Sequence, residues 1–139
     1  MVKNYRIIEH TADIGIHVKG KNLKDLFQNA GLAIFEISSE RINQKKGKIK
    51  TIRIAQKALD LDELFVNWVN ELLSFSASKG IIFEKIKINR IGETAIEAVV
   101  SGSSIKNYKV NTEIKAATYH QLKINKNTSG WQAEVIFDV

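Results

Sequence analysis

Two aspartates frame what chemistry this chain could do. Asp13 opens an alternating run in which Ile14, Ile16 and Val18 share one phase, with Gly15 and His17 in the other, and it falls in the polar phase. Asp138 takes the polar phase of a second such run, one residue before the free carboxylate of Val139. If these strand ends meet, the two side chains and the terminus converge, an arrangement that is costly unless protons or a hard cation neutralise it. Donors made only of oxygen select Mg²⁺ or Ca²⁺ over a transition metal. A surface aspartate in a turn and an incidental acidic terminus would give the same residues without any site.

The histidines His10, His17 and His120 are too scattered to announce zinc. His120 shares the apolar phase of its run and reads as a satisfied core histidine. His10 can bond across its own turn or support Asp13 as a metal ligand. Lys115 and Tyr119, four apart in one expected strand, share a face opposite the core. There an ammonium could balance the carboxylates or hold a phosphate, or simply coat a sheet surface. No Walker loop, dinucleotide glycine pattern, HExxH or nucleophile elbow occurs. Trp68 and Phe75, at helical spacing, read as core.

The elements that position these residues follow from periodicity. Val2 to Ile8 and Ile14 to Val18 read as strands joined through Glu9 to Asp13. Asn22 caps a first helix running to about Ser38, with Leu23, Leu26, Phe27, Ala30, Ile34 and Ile37 on one face. Glu40 to Gly47 reads as a basic loop, followed by a short strand around Ile52 and Ile54. Asp60 with Glu63 forms a capping box opening a second helix, which Gly80 ends. Four strands follow, with Ser101 to Ser104 read as a loop between them. The order β-β-α-β-α-β-β-β-β implies a two-layer α+β domain, a mixed and largely antiparallel sheet with two helices on one face.

At 139 residues the chain is sized for one domain, 1–139, with a core large enough to need no disulfide or structural metal. Cys 0 excludes thiolate chemistry and fits a reducing compartment. No apolar run reaches the ~18 residues of a membrane span, and the amino terminus lacks a secretory apolar region, so a soluble cytoplasmic protein is expected. Lys+Arg 21 against Asp+Glu 15 gives +6, which suits RNA or an acidic partner, or only a lysine-rich solvated surface.

The blocks together resemble a known family. His10-Thr11-Ala12-Asp13, then a strand, Gly20 and the Leu23 to Phe27 helix start, is similar to the amino-terminal signature of archease. Leu64-Phe65-Val66 leading to Asn70-Glu71-Leu72-Leu73, the stretch Glu113 to His120, and Val135-Ile136-Phe137-Asp138-Val139 match in order. Ser101 to Asn111 carries no matching motif.

The resemblance implies an accessory protein, not an enzyme. Archeases assist the RtcB-type tRNA-splicing ligase, promoting attachment of GMP to that enzyme and repeated turnover. On this chain the resemblance places a divalent metal site (Ca²⁺ or Mg²⁺, with Mn²⁺ an alternative) at Asp13, Asp138 and Val139. It places the functional lysine at Lys115, with His10 beside the site and contact with tRNA indirect or weak. Two other readings stand beside it: an RNA-binding chaperone or modulator of a tRNA-modifying enzyme, and a metal-dependent hydrolase for which no base or substrate pocket is apparent.

Overall fold

The structure, a computed structural model, describes residues 4–9, 13–43 and 47–139. Its two helices start where local capping chemistry directs. Asn22 adopts extended backbone and its side chain accepts from the Asp25 amide (2.8 Å), so α1 spans Leu23–Ser38. Asp60 accepts from the Glu63 amide (2.8 Å) to open α2, Leu61–Lys79, and Gly80 closes it in the left-handed conformation (φ 64°).

The strands are β1 (Tyr5–Glu9), β2 (Asp13–Gly20), β3 (Ser39–Arg41), β4 (Lys50–Lys57), β5 (Ile81–Ile91), β6 (Ala95–Ser104), β7 (Tyr108–Val110), β8 (Ala116–Asn127) and β9 (Gly130–Asp138). Among the described residues they form three antiparallel groups: β1-β2-β9-β8, the short pair β3-β7, and β4-β6-β5. The α+β class and the order of the main elements are those expected. The strands, however, are divided between sheets instead of lying in one, and the short strands β3 and β7 are additions. Glu40 and Arg41, expected in a loop, pair with Lys109 and Tyr108, while residues 44–46 of that loop lie outside the described residues.

One contiguous apolar cluster joins both large sheets to both helices. Ile16, Val18, Val135 and Phe137 enter it from the first sheet, Ile86, Ile88, Ile96 and Val100 from the second, and Leu26, Phe27, Leu64, Phe65 and Trp68 from the helices. Phe27 and Phe65 meet edge to face at 5.3 Å, the arrangement their ring quadrupoles prefer. Trp68 is fully buried, and its indole N–H donates to the Phe27 carbonyl (2.9 Å), so the core's largest side chain leaves no polar atom unpaired.

Two departures from simple alternation have physical causes. Ser101 to Ser104, expected as a loop, is instead the end of β6, the central strand of its sheet. Opposite it, β5 carries a register shift between Phe83 and Lys85, which lets Glu84 project as an extra residue. The Glu84 carboxylate accepts from Arg41, from the Tyr108 hydroxyl and from Ser103 Oγ (3.2 Å), tying the β3-β7 pair to the larger sheet. The Arg41 guanidinium also lies 5.4 Å from the centre of the Tyr108 ring.

Tyr5 on β1 shows a coupling with a testable consequence. Burial, then the charge of Glu36 and a hydrogen bond to it, raise its phenol above the ordinary value of 10.0. A group raised in the folded state favours folding below its unfolded value and loses that contribution as pH climbs through the folded one. Ultraviolet titration at alkaline pH should therefore show a phenol ionising late, and Glu36→Gln should move it back toward 10.0.

Candidate functional site

Register places the two aspartates. Ile14 pairs with Phe137, Ile16 with Val135 and Val18 with Ala133, so the apolar phases of β2 and β9 face the core together. A slip of one residue would drive this whole set to the other face, so the core fixes the pairing. The same register sets Asp13, the first residue of β2, directly across from Asp138, the last of β9. Directly opposed residues share a face with Cβ atoms about 5 Å apart, and like charges there repel unless something positive intervenes.

On its other side Asp138 pairs with Ala116, the first residue of β8, and the Lys115 amide donates to the Asp138 carbonyl (2.8 Å). Three chain segments thus meet at one end of the sheet, with Val139 following at 40% exposure. The Lys115 side chain is exposed while its backbone is fixed to the residue that carries one of the carboxylates. Lys115 lies just before β8, not inside it.

Asn70 of α2 secures the outer edge of β8. Its Oδ1 accepts from the Ala117 amide (2.7 Å), and its Nδ2 donates to the Ala117 carbonyl (3.4 Å), so the edge strand's backbone groups are answered by a side chain. In the sequence Asn70 opens one of the blocks that carry the family resemblance, with nothing to assign it this contact. Asn70→Ala should cost about 1–3 kcal/mol by leaving these groups unpaired, read as a lower denaturant midpoint and faster amide exchange in the first half of β8.

Beyond Thr118 the strand departs from its alternation. The β8–β9 register shifts between Thr118 and Lys123, and Gln121 takes a positive φ of 53°. Ala117 is buried before the irregularity, whereas Leu122 and Ile124 pack on the core after it, so the inward phase changes. His120 is therefore exposed, not a core histidine. Tyr119 is 57% exposed. Loss of solvent, then the carboxylates of Glu63, Asp60 and Asp62, hold its phenol above 10.0.

His17 Nδ1 lies 3.1 Å from Glu134 Oε1 on the next strand, a cross-strand pair away from the aspartates. His10 lies outside the described residues. Among the described residues no three His, Cys, Asp or Glu side chains gather closely enough to hold a metal ion. Asp13 and Asp138 supply hard oxygen donors of the kind Ca²⁺ and Mg²⁺ take, so the donor chemistry fits such an ion, with further oxygens required to complete its shell.

The sequence profile of the archease protein family (MTH1598/TM1083) matches residues 5–139. The chain belongs to the archease family. It is 38% identical to the protein archease of Methanosarcina acetivorans, over 99% of this chain and 97% of that one. The solution structure of protein 1598 of Methanobacterium thermoautotrophicum is similar at a TM-score of 0.76 and 26% identity, covering 99% of this chain and 100% of that one. The crystal structure of a Thermotoga maritima archease, described as a possible chaperone, is similar at a TM-score of 0.67 and 26% identity, over 95% and 94% of the two chains. As an archease the chain keeps two helices with antiparallel sheets, and no described helix is long and apolar enough to cross a membrane.

Proposed function

We propose that this archease is an accessory protein that activates an RtcB-type RNA ligase, promoting guanylylation of the ligase and its repeated turnover. The observation that supports this most is the opposition of Asp13 and Asp138 at a sheet end, beside the amide that anchors Lys115. Asp13, Asp138 and a main-chain oxygen of Val139 would hold a divalent ion, Ca²⁺ or Mg²⁺ with Mn²⁺ as the alternative. His10, three residues before Asp13 in the sequence, would orient that carboxylate. The ion supplies concentrated positive charge at the surface where a nucleotide-bearing partner docks.

Asp138 links the parts. Asp138 stands across from Asp13, while its carbonyl accepts from the Lys115 amide, so a cation held by the two carboxylates would lie beside the backbone that carries Lys115. An exposed lysine on an anchored backbone suits contact with a phosphate on the partner. Contact with tRNA at this end would be indirect, through the ligase. The test is a time course of guanylylated ligase in GTP and Mn²⁺, with and without this protein: acceleration and multiple turnover support the assignment, and an unchanged course refutes it.

A further inference from the structure

The far end of the same two strands carries a second feature. Gly20 pairs with Trp131 seven residues along from the Asp13–Asp138 pair, roughly 23 Å away at the rise of a strand. There a cleft of about 470 Å³ opens between the end of β2, the start of α1 and the β8–β9 turn. Lys21 lines it together with the Lys19 backbone, and Trp131, half-buried, forms part of its wall. The Lys126 ammonium lies 5.9 Å from the centre of that indole ring, adding a second cation.

The remaining wall is rich in amides. Asn29 donates one N–H to the Lys19 carbonyl (2.8 Å), leaving its carbonyl oxygen as an acceptor and its second N–H as a donor. Asn127 uses its oxygen to accept from the Ser129 amide (2.9 Å), leaving an NH₂ as donor. Gln132 offers both. Asp25 is an acidic group of the cleft, an acceptor for an exocyclic amine or a ribose hydroxyl. An aromatic face, mixed amide donors and acceptors, and ammonium groups at the rim are the three contacts an unpaired nucleotide in a strand makes: stacking, base-edge hydrogen bonds and phosphate pairing.

We propose that this cleft binds a single-stranded RNA segment, one base stacking on Trp131 and the flanking phosphates lying on Lys21 and Lys126. The site is independent of the ligase-activation reading, since none of its residues belongs to the aspartate end. It gives the chain's charge of +6 a specific use. RNA held here would leave the opposite pole free.

The test uses the intact protein and a dye-labelled single-stranded RNA of about 12 nucleotides, within the usual site size for such grooves. The chain has two tryptophans, and Trp68 is fully buried, so quenching of emission on RNA addition reports Trp131. Expected are saturable quenching, affinity that falls with salt, and roughly tenfold weaker binding for Trp131→Ala. Lys21→Glu with Lys126→Glu, both exposed and without risk to the core, should weaken binding and flatten the salt slope by about one unit for each phosphate that is no longer neutralised. Absence of binding, or binding undiminished in the lysine variant, overturns the proposal. So does competition by free GMP as effective as by the oligonucleotide, because the cleft would then be a mononucleotide pocket.

Discussion

Asp13→Ala is expected to return ligase guanylylation to the rate of the ligase alone, while the variant remains folded. The sign of its stability effect separates this from simple damage. Asp13 faces Asp138 across a strand pair, so without divalent ions its removal relieves like-charge repulsion and should leave stability unchanged or raised by about 0.2–1 kcal/mol. With an ion at 100 times its dissociation constant, the parent protein should gain about 2.7 kcal/mol and the variant nothing. Thermal melts in chelator and in added Ca²⁺ provide the comparison. A variant less stable than the parent in chelator would mean that the carboxylate serves the fold.

The largest stability effect belongs to Gly102→Ala. A Cβ there would lie 1.9 Å from the Ile82 carbonyl oxygen and 2.7 Å from its carbon, both backbone atoms of the neighbouring strand. No side-chain rotation can relieve such a contact, so β5 and β6 must separate in the sheet's centre. Overpacking commonly costs 1–3 kcal/mol, and a backbone clash in a central strand should exceed that, about 3 kcal/mol or more against a total of roughly 5–15. A chemical denaturation midpoint close to the parent's would contradict the close approach of these strands.

Gly102 also shows where sequence reading fails. Ser101-Gly102-Ser103-Ser104 has turn composition, yet here the glycine serves strand contact, and Ser103 is buried with its hydroxyl on Glu84. Nothing nearby in sequence signals that Glu84 projects from a register shift and binds Arg41 and Tyr108. The helices are different. Asn22, the Asp60 and Glu63 pair, and Gly80 act within a few residues of themselves, so their chemistry can be read locally.

The strand ends lie between these cases. The polar phases of Asp13 and Asp138 are legible in each run, but their opposition depends on β2 pairing with β9, a contact between the two ends of the chain that only the shared core specifies. For His120 the inference from alternation fails at an identifiable place. Ile114 and Ala117 are both buried, three residues apart, so the phase expected inward is already displaced at the start of β8, and the register shift and the positive φ of Gln121 then bring Leu122 and Ile124 onto the core. Asn70, read as part of a family block, gains its role from β8 lying against α2, which helix periodicity does not encode.

The most direct test is calorimetric titration of the chelator-treated protein with Ca²⁺ and, separately, Mn²⁺, comparing the parent with a variant carrying both Asp13→Ala and Asp138→Asn. One ion bound per parent chain and none by the variant is the expected result. Equal stoichiometry and affinity in both proteins, or no binding by the parent, would contradict a cation held between these strand ends.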